Sequence, residues 1–121
     1  MKSAASCIVL LSTSFMVFAD DDTTINWRAD YVDAWKESID TDKPLFSYAG
    51  SPDCVHCRKM EKTTFTDSRI INLLNRKFIP VKFPFKPKTV PTIYLKTKDK
   101  TRKLEGYHDA ERLLKELNHE L

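Results

Sequence analysis

Cys54-Val55-His56-Cys57 constrains this chain more than any other stretch. Two cysteines three positions apart either close a small disulfide ring or stand as a dithiol. At the start of a helix such a pair has a lowered thiol pKa and exchanges electrons with other thiols. The flanking residues predict that placement. Pro44-Leu45-Phe46-Ser47-Tyr48-Ala49 is a short apolar run that reads as a buried strand, and Gly50-Ser51-Pro52-Asp53 reads as a turn. Residues 58–65 and 70–78 read as helix, with a break or bend near Thr63 to Thr66. Strand, turn, C-x-x-C and helix is the setting in which the motif reports redox chemistry.

The first 19 of the 121 residues read as a secretory signal peptide. Lys2 supplies a positive charge, Ser3 to Ala19 carry none, and Cys7 to Leu11 and Phe15 to Ala19 are mostly apolar. Val17-Phe18-Ala19 offers small or modest residues where a signal peptidase reads, and Asp20-Asp21-Asp22 ends the apolar run. The competing reading is a membrane anchor. The stretch is short for a span, is interrupted by Ser12, Thr13 and Ser14, and lacks a basic stop-transfer flank. Cys7 comes too early for a lipoprotein cleavage site. The expected domain organisation is a signal peptide over 1–19 and one domain over 20–121, a size that suits a single core.

Removing residues 1–19 takes away Lys2 as the sole charge, so the formal balance falls from +3 to +2. No basic stripe interleaves with aromatic residues, so nucleic acid binding has no support. Lys82, Lys86, Lys88, Lys96, Lys98, Lys100, Arg102 and Lys103 make the second half locally basic. That pattern reads as a solvated face or as one that favours an acidic partner. Only Cys54 and Cys57 survive the expected cleavage. Exported chains that rely on disulfide staples carry several, and a pair this close constrains the unfolded chain little. The pair is therefore poorly explained as a stabiliser.

Thr24 or Asn26 is expected to cap a helix running to about Ile39, with Trp27, Tyr31, Ala34, Trp35 and Ile39 on one apolar face. Asp67 is expected to cap a helix with Ile70, Ile71, Leu73 and Leu74 inward. Residues 78–83 read as a second strand, and Pro80 within it argues for an edge position. Residues 84–90 read as a loop, and residues 91–96 and 101–105 as a hairpin ended by Gly106. Asp109 is expected to cap a last helix with Ala110, Leu113, Leu114, Leu117 and Leu121 on one face. No repeat and no low-complexity segment interrupts this order.

With these elements in place the chain resembles the thioredoxin superfamily over nearly all of residues 20–121. It is similar to small exported domains whose motif helix reads C-x-x-C-basic-x-Met-Glu followed by Thr-Phe. Here that is Cys54-Val55-His56-Cys57-Arg58-Lys59-Met60-Glu61, then Thr64-Phe65. Lys43-Pro44-Leu45-Phe46 and Asn75-Arg76-Lys77-Phe78-Ile79-Pro80-Val81 also fit. Val90-Pro91-Thr92, with Pro91 34 residues after Cys57, resembles the family's cis-proline element. The resemblance implies an α/β fold with a central mixed four-stranded sheet flanked by helices. Two departures stand out. Residues 84–89 are too few for the helix and strand that usually precede the cis-proline, so the connection there is shortened. Asp53 stands where many members have Trp, and the family's buried acid has no clear match in Phe46-Ser47-Tyr48.

The expected catalytic residues are Cys54, the attacking thiol at the helix start, and Cys57, more buried, which resolves the mixed disulfide. His56 and Asp53 are expected to tune the site. An imidazolium at His56 would stabilise the Cys54 thiolate, whereas the Asp53 carboxylate would oppose it unless paired with His56 or Arg58. The resemblance places Val90 and Pro91 against an extended substrate peptide. No cofactor and no metal are expected, because the electrons reside on the cysteine pair. Copper or zinc handling through Cys54, His56 and Cys57 is one alternative, but a closed zinc site needs four ligands and only His108 and His119 remain. A non-catalytic binding module is the other. The reading is an exported thiol–disulfide oxidoreductase that meets protein thiol or disulfide substrates and a redox partner protein. It is expected to act as a monomer, free of nucleic acid and of the membrane once cleaved. A lean towards oxidase, isomerase or partner-specific reductase follows from His56. The expected compartment is a bacterial periplasm. The endoplasmic reticulum lumen or secretion is the alternative, since Asn118-His119-Glu120-Leu121 loosely resembles a retrieval tetrapeptide.

Overall fold

The structure is a computed structural model that describes residues 23–121. The signal-peptide reading of residues 1–19 and the domain start at Asp20 lie outside the described residues. The elements run α1 (Tyr31–Thr41), β1 (Leu45–Ala49), α2 (Val55–Thr63), α3 (Ser68–Lys77), β2 (Ile79–Lys82), β3 (Thr92–Lys96), β4 (Thr101–Glu105) and α4 (Ala110–His119). The strands form one mixed sheet in the order β2-β1-β3-β4. β1 pairs parallel with β2, with Phe46 opposite Pro80, and antiparallel with β3, with Tyr48 opposite Ile93. β3 and β4 form the expected hairpin. No helix of the described residues is long and apolar enough to cross a membrane.

β1 is buried along its whole length, as a central strand covered on both faces must be. Alternation divides its side chains between two cores. Phe46 and Tyr48 join Ile93 and Leu95 of β3, Met60 of α2, Ile70, Ile71 and Leu74 of α3, and Leu113 and Leu117 of α4. Leu45 faces the other way, with Ile79 and Val81 of β2 and Ala34 of α1. The caps of α3 and α4 fall where the sequence predicts them. The Asp67 carboxylate accepts from the Arg69 N–H at 2.9 Å, and that of Asp109 from the Arg112 N–H at 2.8 Å.

Two expectations are corrected. The first helix begins at Tyr31, not after Thr24 or Asn26. Asp30 is its cap, accepting from the Asp33 N–H at 2.9 Å. Residues upstream run extended beside β2, where the Arg28 N–H donates to the Pro80 carbonyl at 2.8 Å and Arg28 bridges Val81. Trp27 therefore lies on the far side of the sheet from α1, its ring centroid 5.7 Å from Phe65 and 6.1 Å from Phe46 and Tyr48. The four- and three-residue steps from Trp27 to Tyr31 and on to Ala34 mimic a helix face, but the open sheet margin at Pro80 claims the backbone. Arg28 also forks onto Glu37 at 2.7 Å for both bonds, which ties the extended segment to α1. Ile39, placed on the apolar face by spacing, is 37 % exposed. The second correction is Leu121. The last helix ends at His119, and Leu121 lies beyond it, exposed, and completes no apolar face.

The connection from β2 to β3 is short and non-helical, as its prolines predict. Phe83 opens it and extends the parallel pairing by one bond, its N–H donating to the Tyr48 carbonyl at 2.8 Å.

Candidate active site

β1 delivers the chain to a turn whose last bond runs from the Cys54 N–H to the Ser51 carbonyl at 3.1 Å. Cys54 then takes extended backbone angles and caps α2 with its sulfur, which accepts from the Cys57 N–H at 3.1 Å. The first N–H groups of a helix lack partners within it, and the helix dipole adds positive potential there. The sulfur of Cys54 thus sits where a thiolate is favoured.

Cys54 and Cys57 are joined as a disulfide, their Cα atoms 5.1 Å apart. The two sulfurs are not equivalent. Cys57 is completely buried at the start of the helix core, whereas Cys54 is half-buried and lies at the surface edge. The Val90 carbonyl oxygen stands 3.7 Å from the Cys54 sulfur. The Val90–Pro91 peptide bond is cis, and the Pro91 carbonyl accepts from the Gly106 N–H at 2.9 Å, which fixes this loop to the end of the hairpin. Cys54, Cys57, Val90 and Pro91 are thereby brought together.

His56 and Asp53 are not. Both side chains are exposed, and among the described residues neither makes an ion pair or hydrogen bond. The expected pairing of Asp53 with His56 or Arg58 is corrected: Arg58 donates to the Pro52 carbonyl at 3.1 Å instead. As the fourth residue of α2, Arg58 reaches back over the first turn to the Pro52 carbonyl and not sideways to Asp53.

Sequence reasoning missed what lies behind the disulfide. The Tyr48 ring is buried, and its hydroxyl approaches the Cys57 carbonyl at 3.5 Å. Gly50 makes room for it, since a Cβ there would sit 2.5 Å from the Tyr48 oxygen. Burial pushes the Tyr48 phenol well above its usual pKa, reinforced by the Glu61 carboxylate. Lys82 lays its ammonium over Trp27 at 4.2 Å and over Tyr48 at 4.9 Å. Removal of water by these rings lowers its pKa, and Glu61 opposes the shift. A cleft of about 430 Å³ opens here, between the turn, α2 and the end of β2. The signal that could have found this set is strand alternation: Tyr48 shares the face of Phe46 and therefore points at the motif helix. His108, a residue considered for a metal, is a core residue: its ring meets the Gly106 carbonyl at 2.9 Å, and its own carbonyl accepts from the Thr64 hydroxyl at 2.7 Å. Among the described residues no three His, Cys, Asp or Glu side chains gather to hold a metal ion.

The family model Thioredox_DsbH, described as "Protein of unknown function, DUF255", matches residues 9–107. The chain belongs to the Thioredox_DsbH family. No curated protein matches it by sequence. Among solved structures, a thioredoxin from Thermus thermophilus superposes with a TM-score of 0.66 at 18% identity, over 79% of this chain and 86% of that one. A structure titled DsbH Oxidoreductase gives 0.63 at 15% identity, over 79% and 83%. The C-terminal domain of Neisseria meningitidis DsbD in its oxidised form gives 0.54 at 19% identity, over 77% and 97%. These likenesses show a thioredoxin-like fold for this Thioredox_DsbH member. Fold, family and adjacent cysteines together support a thiol–disulfide oxidoreductase role in general.

Proposed function

We propose that this protein is an exported thiol–disulfide oxidoreductase acting on protein cysteines through Cys54 and Cys57. The observation that carries the reading is the asymmetry of the pair. One sulfur is accessible at a helix start beside the Val90 backbone, and the other is sealed behind it. From the oxidised form, a substrate thiolate attacks Cys54, the intramolecular disulfide breaks, and Cys57 leaves as a thiolate that takes a proton. A second substrate thiol, losing its proton, then attacks the substrate sulfur of the mixed disulfide and expels Cys54. The substrate gains a disulfide, and the protein takes up two electrons and two protons. The reverse sequence reduces a substrate disulfide, with Cys57 resolving the mixed disulfide. The Val90 backbone supplies an edge on which an extended substrate can lie. A bacterial periplasm is the compartment that suits this chemistry and the apolar segment before Asp20.

The test joins chemistry to accessibility. In the reduced protein, iodoacetamide should label Cys54 with a rate that titrates below the ordinary thiol range, and Cys57 only slowly. Cys57→Ser should accumulate a mixed disulfide with a reduced protein substrate supplied in oxidising buffer, and Cys54→Ser should form none. A Cys54 that stays unlabelled up to about pH 9 would overturn the catalytic reading. The reduction potential then assigns direction: near about −270 mV it is a reductant, and near about −120 mV an oxidant. Mass measurement of protein secreted by a bacterial host should show an N-terminus at Asp20.

A further inference from the structure

The two faces of the sheet are not covered alike. On the face of Leu45, Ile79 and Val81, α1 supplies Ala34, Tyr31 and Trp35, but it lies over β1 and β2. Tyr94 of β3 projects on this same face, and among the described residues no helix covers it. The short connection after β2 does so with aromatic rings. Phe83 sits 4.7 Å from Tyr94 and 5.9 Å from Tyr31. Phe85 leans edge-on against Phe83 at 5.8 Å and remains 73 % exposed. Phe85 therefore extends the packed rings of Phe83 and Tyr94 outward into solvent as an apolar step on the proline-bounded loop.

Charge sets what could sit there. Residues 82–90 contain Lys82, Lys86 and Lys88 and no Asp or Glu. Among the described residues Lys86 and Lys88 meet no carboxylate. The same segment ends at Val90, beside the Cys54 sulfur. One short segment therefore carries both the apolar step with its cationic rim and the backbone beside the exchangeable sulfur.

We propose that Phe85, with Lys86 and Lys88, docks a segment of the redox partner protein in which an aromatic or large apolar side chain is flanked by Asp or Glu. The apolar residue packs on Phe85 and Phe83, and the carboxylates meet the two ammonium groups, which steers encounter as well as fixing orientation. The identity of the occupant as a redox partner rests on the function proposed above; the surface itself does not.

The test uses the full chain after oxidation and a fluorescein-labelled synthetic peptide with a central Trp-Leu pair between acidic residues, compared with the same peptide flanked by lysines. Anisotropy should show the acidic peptide binding at least about tenfold tighter, with affinity falling as salt rises from about 50 mM to about 300 mM. Phe85→Ser should weaken binding about tenfold, and Lys86→Glu with Lys88→Glu should invert the preference. All three substitutions are at exposed positions and should leave exchange of the reduced protein with bis(2-hydroxyethyl) disulfide unchanged. Equal affinity for the two peptides, or insensitivity to the substitutions, overturns the proposal. So does binding to phosphatidylglycerol vesicles without peptide binding, or a self-association by sedimentation that Phe85→Ser abolishes while the peptide is ignored. Absence of exchange with the small disulfide would sink the redox function and leave the peptide result to decide the surface.

Discussion

The face of the sheet that carries Phe46 and Tyr48 is closed by three helices, and Met60, Ile70, Leu74, Leu113 and Leu117 are wholly removed from water there. Among the described residues, the opposite face has only Ala34, Leu45, Ile79 and Val81 in its buried cluster. The remainder is covered by the half-exposed rings of Tyr31, Trp35, Phe83 and Tyr94, and the Ser47 hydroxyl is buried beneath it without a hydrogen-bond partner. Apolar burial sets most of the folding free energy. The first face is therefore where stability resides, and it also anchors α2 and so Cys57. The second is loosely roofed by a loop that reaches the accessible sulfur. A small domain can keep its reactive pair rigid from one side and leave the other side adaptable for a partner.

Substitutions on the two faces test that division. Leu74→Ala, in the closed core, should destabilise by about 2–5 kcal/mol in urea unfolding. A cost under about 1 kcal/mol would mean that this face is not the stable one. Gly50→Ala should cost about 1–3 kcal/mol, because the new methyl displaces a Tyr48 ring already packed edge-on against Phe65 at 4.8 Å. It should also slow Cys57 chemistry relative to Cys54 alkylation, since Tyr48 borders Cys57. On the α1 side the Arg28–Glu37 fork is worth at most about 1 kcal/mol, being partly exposed. The Arg28 guanidinium holds the Glu37 carboxyl below its ordinary value of 4.5, with burial opposing. A depressed folded-state pKa gives stability that is present above the ordinary value and lost as pH falls through the folded one. The stability difference between the parent and Glu37→Gln should therefore be constant near neutrality and shrink between about pH 5 and about pH 3. Phe85→Ser should change stability by under about 0.5 kcal/mol. A loss comparable to Leu74→Ala would show Phe85 to be core and erase the contrast between the faces.

Much of this was legible locally. Asp67 and Asp109 announce their helices because a carboxylate accepts two or three residues on, and Pro80 announces a sheet margin because it has no N–H to give. The Cys54 position was legible from strand, turn and helix in succession, and that of Val90 beside it came from the resemblance to thioredoxins. What failed was decided by contacts distant in sequence. Trp27 has helix spacing, yet the Arg28 N–H is taken by Pro80 more than fifty residues away. Leu121 continues the apolar period, but α4 ends two residues before it. The Tyr48–Gly50–Cys57 contact depends on a ring reaching back over the turn, and Lys82 reads as one more surface lysine until Trp27 and Tyr48 are seen beneath it.

The pairing of Arg28 with the outside of β2 has a consequence for life among other chains. A sheet grows by offering unpaired backbone along a border, which is how misassembly into fibres begins. One border here has a proline that cannot donate and whose carbonyl already accepts from the Arg28 N–H. The other is the five-residue strand β4, lined by Arg102 and by Lys103 joined to Glu105 at 2.7 Å. Both borders are poor templates, so the sheet offers a passing strand little backbone on which to grow.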